Sequence, residues 1–227
     1  MEVLVRIKMN ENLYVRDPEA TALGKKIVRH SIIMINQMGF EQFTFKKLAA
    51  EINTTEAGIY RYFEHKHRLL LYIVAWYWSL MEYLVIFHIN NLTDPRQKLR
   101  KVIDLLSKEP EDTISSGDLD NSALYQIVIS ESNKAYLTKD VTVNNEARMF
   151  KPYKDLCARI AGLIREYNPA YPFPHSLSST LIESAHLQYF FMHHLPSLTD
   201  FGKEKDRAQL QRFLEVLLFS NLEAARP

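Results

Sequence analysis

The chain has 227 residues, 47% hydrophobic and 24% charged, the mix of a folded globular protein rather than a disordered one. Only 6 residues are glycine, no two closer than 15 positions, which excludes a GxGxxG fingerprint, a GxxxxGK phosphate loop and a GxSxG elbow; the single Cys157 excludes an intramolecular disulfide and a cysteine-based zinc cluster. The formal net charge of +1, averaged over the whole chain, speaks against nucleic acid.

Residues 1–20 read as an N-terminal arm in which Val3 to Lys8 alternate weakly. Residues 19–94 contain no proline, and proline is what breaks helix interiors. Within them Leu23, Ile27, Val28, Ile32 and Ile35 recur at three- and four-residue steps, predicting an amphipathic helix over 22–38 that stops at Gly39. Thr44 is placed to cap a short helix whose apolar face is Leu48, Ala49 and Ile52. Asn53 falls where a tight turn needs positive φ, which Asn tolerates. Thr54 and Thr55 are candidate caps for a second short helix, with contacts from Ile59, Tyr60 and Phe63. Together the three helices predict a tri-helical helix-turn-helix unit over 21–68.

A long helix over 66–91 follows. Its residues 69–81 carry no charge, and about 20 apolar residues would span a membrane. Glu82 inside such a span would cost on the order of 2.5–3.5 kcal/mol, and a helix apolar all round also suits the centre of a bundle, so a buried central helix is expected. Further helices are predicted over 95–108, 119–137, 145–167, 176–195 and 203–223, with irregular segments at 109–118 and 168–175. The fold class is all-α, with the helix-turn-helix unit followed by a helical bundle over 69–227. The N-terminus lacks the apolar core of a signal peptide, and a cytoplasmic protein is expected.

The second short helix begins with small and polar residues, Thr54, Thr55, Glu56, Ala57 and Gly58, and its glycine costs about 1 kcal/mol relative to alanine while permitting close approach of another surface. Lys46, Lys47, Arg61, Lys66 and Arg68 surround it, interleaved with Tyr60 and Tyr62. Such side chains bond phosphate oxygens, and a helix of small residues enters a major groove. The charge divides accordingly: residues 25–68 hold 8 basic and 4 acidic side chains, a local +4, against −1 for 1–24 and −2 for 69–227. The alternative is a helical hairpin with solvated lysines, serving as a protein-interaction adaptor.

The pattern Gly39-Phe40, Thr44 to Ala49, Tyr60-Arg61-Tyr62-Phe63 and Phe63-Glu64-His65-Lys66-His67-Arg68-Leu69 resembles the DNA-binding domain of the TetR family of transcriptional repressors. The resemblance implies that Thr44 offers its hydroxyl to a phosphate with Lys46 or Lys47 near the backbone. It implies that Thr54 to Gly58 face base edges, and that Tyr60, Tyr62 and Lys66 bind further phosphates; Arg61 belongs to the same candidate set. Asn53 stands where that family usually has glycine, Thr54 where it has an apolar residue, and His65 where it has a Ser or Asn cap. Glu56 puts an acid on the recognition helix, either to accept from cytosine N4 or to stabilise the helix N-terminus.

The resemblance also implies a homodimer through the last two helices, with stripes Leu210, Phe213, Leu214, Leu217 and Leu177, Leu181, Ala185, whose other reading is an intramolecular core. A pocket for a small lipophilic effector is expected among Trp76, Tyr83, Phe87, Tyr125, Phe150, Tyr153, Cys157, His186, Tyr189 and Phe190. No cofactor, metal site or catalytic residue is expected; His186, His193 and His194 lack the further ligand a metal site needs. The function so read is a dimeric repressor on a palindromic operator, released by an unidentified small molecule.

Overall fold

The computed structural model describes residues 7–110 and 119–224, and all the regular structure in them is helical. Most of the weakly alternating segment 3–8, and of the irregular segment 109–118, lies outside the described residues. The arm holds two 3-10 turns, Glu11–Leu13 and Pro18–Ala20, each capped by the side chain before it, Asn10 and Asp17. The helices are α1 (Ala22–Gln42), α2 (Phe45–Glu51), α3 (Glu56–Tyr60), α4 (Lys66–Ile89), α5 (Pro95–Leu106), α6 (Asn121–Glu131), α7 (Asn133–Tyr136), α8 (Val141–Glu146), α9 (Lys151–Tyr167), α10 (Pro174–His194) and α11 (Arg207–Ala224).

Differences from the expected elements have local causes. In α1, Gly39 adopts φ +76°, so the helix proper ends before it and residues 40–42 form a separate turn. The stretch 119–137 is two helices, and 145–167 starts late, at Lys151, because Arg148 takes φ +58° and Pro152 fits only a first turn. Lys205 at φ +50° likewise delays α11 to Arg207.

The chain forms two compact units, Met1–Leu80 with Pro110–Pro152, and Met81–Glu109 with Tyr153–Pro227. The first therefore joins α6 to α8 with the helix-turn-helix residues. Its core includes Ile27, Ile32, Phe43, Leu48, Phe63 and Trp78. The arm is part of this core: Leu13 is fully buried, the Val15 N–H donates to the Tyr62 carbonyl at 2.8 Å, and the Asn10 and Asn12 side chains both donate to the Ala147 carbonyl, at 2.9 and 3.1 Å. α4 is long and apolar enough to cross a membrane by composition, yet 78% of its most apolar window is buried inside the protein.

In the second unit Glu82 is paired, accepting from Arg159 Nη2 at 2.9 Å. Lys98–Glu166 and Arg96–Glu223 link α5 to α9 and α11, and Asn168 Nδ2 donates to the Leu222 carbonyl at 2.8 Å. Leu177, Leu181, Ala185, Leu210 and Leu214 are buried within the unit, so these members of the two stripes form an intramolecular core. Phe213 stays exposed and Leu217 is half-buried.

Burial of His186 pulls its imidazole from 6.5 down to about 4. The unfolded chain therefore takes up a proton near pH 6.5 that the folded chain refuses until about pH 4, so this contribution is complete above the first value and is lost as pH falls towards the second. Urea unfolding should show wild type losing about 2 kcal/mol more than His186→Leu between pH 7 and pH 5.

Candidate nucleic-acid interface

The α2–turn–α3 segment is built from local bonds. Thr44 Oγ1 accepts the Lys47 N–H at 3.2 Å, capping α2. Asn53 supplies the turn with φ +55°, and the Thr54 N–H closes it on the Ala49 carbonyl at 2.9 Å. Thr55 Oγ1 caps α3 by accepting the Gly58 N–H at 3.1 Å. From α1, Lys26 Nζ donates to the Ile52 carbonyl at 2.9 Å and ties the turn down. Ile59 is the buried residue of α3, and the Tyr60 ring packs edge-on against Phe45 with centroids 5.1 Å apart.

That packing fixes what faces outward. Thr44, Lys46, Lys47, Thr55, Glu56, Ala57, Tyr60 and Arg61 are exposed, and Thr54 and Gly58 half-buried. Lys47 Nζ donates to the Gln42 carbonyl at 2.8 Å. A Cβ on Gly58 would stand 3.0 Å from Thr54 Oγ1, so the glycine keeps the start of α3 thin where Thr54 sits beside it. The surface combines small and polar residues with lysine and arginine at its edges, a face that fits base edges with flanking phosphates.

Two expected phosphate ligands have partners within the protein. Tyr62 is buried, 3% exposed; its hydroxyl lies 2.7 Å from Thr21 Oγ1, and the Arg16 guanidinium covers its ring. Lys66 Nζ donates to the carbonyls of Phe40, Glu41 and Phe43 at 2.9, 3.1 and 3.1 Å, which occupies all three ammonium hydrogens. Thr21 and these carbonyls escaped the sequence reading because their partners lie on other elements. His65 does act as a cap: its Nδ1 accepts the Arg68 N–H at 3.1 Å, and burial followed by the Arg68 charge lowers its pKa.

The expected pocket residues are divided between the units. Trp76, Tyr125 and Phe150 are buried in the first, where Phe150 meets Tyr136 at 5.5 Å. In the second, Tyr83 stacks on the exposed Phe87, and the Tyr153 hydroxyl donates to Glu183 at 2.7 Å. The Tyr189 hydroxyl donates to Glu109 at 3.1 Å, and Phe190 meets His194 at 4.7 Å. Burial pushes the Cys157 thiol up to about 11, so it is not an activated thiolate. A cavity of about 650 Å³ opens in the first unit, lined by Met9, Glu11, Tyr14, Asp17, Glu19 and their neighbours in the arm and by none of these aromatics. His193 Nδ1 lies 2.9 Å from the Tyr189 carbonyl, and the described residues contain no group of three or more His, Cys, Asp or Glu able to hold a metal.

Residues 27–73 match the family model for bacterial regulatory proteins of the tetR family. This segment is a TetR-family DNA-binding domain. The TetR match spans α2, the turn and α3, the residues whose exposed face is described above. Among solved structures the chain is similar to AibR in complex with isovaleryl coenzyme A and operator DNA, with TM-score 0.58, 16% identity, and coverage of 86% of this chain and 97% of that one. It is also similar to the fatty acid degradation regulator FadR from Bacillus halodurans, with TM-score 0.61, 15% identity, and coverage of 86% and 93%. A TetR-family regulator from Mesorhizobium loti gives TM-score 0.51 at 12% identity over 88% and 95%. At these identities the likeness is one of fold: a TetR helix-turn-helix followed by further helices. No curated protein matches the sequence.

Proposed function

We propose that the chain is a transcriptional repressor that binds a palindromic operator as a homodimer and is released by a small lipophilic effector. The observation that carries the DNA-binding part is the outward face of α2 and α3 inside the TetR match. There Thr44, Lys46, Lys47, Thr55 to Ala57, Tyr60 and Arg61 are exposed, with Thr54 and Gly58 beside them. Thr44, Lys46, Tyr60 and Arg61 are assigned to phosphates, and Thr54 to Gly58 to base edges. Glu56 stands in the first turn of α3, where a carboxylate favours the helix N-terminus.

Dimerisation is assigned to α10 and α11, where Leu187, Phe213 and Val216 remain exposed after the other stripe residues are used in the core. The effector class is suggested by what AibR is bound to, isovaleryl coenzyme A, and by the fatty acid degradation role of FadR. Acyl thioesters are therefore the first compounds to screen. A ligand releases DNA only if it binds the released state better than the bound one. An adaptor role is favoured by one observation, the exposed Leu137 and Val143 of the first unit.

Selection of duplexes from a random pool tests the reading. The expected product is an inverted repeat with half-site centres about 10–10.5 base pairs apart or a multiple of that. Tyr60→Ala should weaken binding to it by about tenfold across sequences, as loss of a phosphate contact does, and Gly58→Ala should change base preference. Failure of wild type to enrich any sequence, with a protein partner captured through Leu137, would favour the adaptor.

A further inference from the structure

The joint between α1 and α2 is held from two sides by side chains distant in sequence. Because Gly39 turns at φ +76°, the Phe40 N–H stands at the start of a new turn, where helical N–H groups need partners from outside. That N–H donates to Glu131 Oε1, at the end of α6, at 2.9 Å in a buried setting. Glu131 itself is 8% exposed, and its other oxygen lies 2.7 Å from Lys134 Nζ. Lys134 also pairs with Glu41 of the joint at 3.0 Å, which with the hydrogen bond it donates holds the Glu41 carboxyl below its usual range. The Lys134 carbonyl lies 2.8 Å from His67 Nε2, at the start of α4. On the acceptor side, Lys66 gathers the carbonyls of Phe40, Glu41 and Phe43.

A buried carboxylate is expensive unless its oxygens are used, and here one oxygen serves a main-chain N–H 91 residues away in sequence. Phe43 ends this joint and Thr44 begins α2, so whatever fixes Phe40 also fixes where α2 and α3 start. We infer that Glu131 is a positioning residue: through the Phe40 N–H it anchors the α1–α2 joint to α6 and so sets how α2 and α3 are presented to DNA. The inference rests on the DNA-binding reading above.

The test compares the full-length wild type with Glu131→Ala, Glu131→Gln and Glu131→Asp, on the duplex selected by wild type and by amide hydrogen exchange of the free proteins. Glu131→Ala should speed exchange at Phe40 and weaken DNA binding by about tenfold or more, the scale of losing a bond to a charged group, while exchange at Ile32 in the middle of α1 stays slow. Glu131→Gln keeps an acceptor oxygen and should restore both towards wild type. Glu131→Asp keeps the charge but withdraws it by one methylene, and should behave like the alanine variant; it serves as the readout if alanine also exposes Ile32. Wild-type affinity in both Glu131→Ala and Glu131→Asp, or unchanged exchange at Phe40, would overturn the inference while leaving DNA binding intact. Wild type that binds no duplex would instead remove the DNA-binding reading and the inference with it.

Discussion

Gly24→Ala is expected to destabilise the protein by about 3 kcal/mol, the upper end of what overpacking costs. A Cβ at this position would lie 2.3 Å from the Pro18 carbonyl oxygen, 2.6 Å from its Cα and 2.8 Å from its carbonyl carbon. All three are backbone atoms, so no rotamer change relieves the contact. The backbone has little freedom to retreat: Pro18 opens a 3-10 turn capped by Asp17, and that turn runs directly into Thr21, the N-cap of α1. Gly162 is the control, because a Cβ there meets nothing within 4 Å and it lies inside α9. Gly162→Ala should be neutral or stabilising by up to about 1 kcal/mol. Urea midpoints of the two variants against wild type check both. A neutral Gly24→Ala would mean that the arm does not dock on α1 as described, and with it the Val15–Tyr62 bond and the Arg16–Tyr62 contact.

Lys66→Ala separates two roles for the same side chain. A lysine that only meets a phosphate leaves stability nearly unchanged when removed, while the salt dependence of DNA binding loses about one contact. A lysine that holds three carbonyls does the reverse. Its loss leaves the Phe40, Glu41 and Phe43 carbonyls without the ammonium and removes a cation from the face of the Phe40 ring, 4.7 Å from its centroid. Bonds to charged groups contribute about 1.5–3 kcal/mol each in isolation, and these three share one side chain, so a total of about 2–4 kcal/mol is expected. Lys66→Ala should therefore lower the unfolding midpoint strongly. At temperatures where it remains folded, its slope of log affinity against log salt should match wild type.

What was legible in the sequence was local. Thr44 as a cap, Asn53 at positive φ and Thr55 as the cap of α3 each depend on residues within three positions, and each is where it was expected. The roles expected of Tyr62 and Lys66 come from a resemblance in motif, and the partners that hold these side chains, Thr21 and the end of α1, sit 41 and 23 to 26 residues away. Glu131 gave no signal at all, since an acid at the end of an apolar helix looks like a solvated one. Helix breaks at Arg148 and Lys205 were invisible because neither residue type favours positive φ. The α10 and α11 stripes were correctly apolar, but periodicity identifies a face without saying what covers it: Leu177, Leu181 and Leu210 turned inward, while Phe213 stayed exposed.

The most direct test of the central claim is equilibrium titration of a selected duplex over a range of salt, with wild type, Lys46→Ala and Arg61→Ala. If the exposed face of α2 and α3 grips DNA, wild-type affinity falls steeply between about 50 and 200 mM salt, and each variant loses affinity with a slope shallower by about one, without a change in unfolding midpoint. Affinity independent of salt, or both variants indistinguishable from wild type, would contradict it.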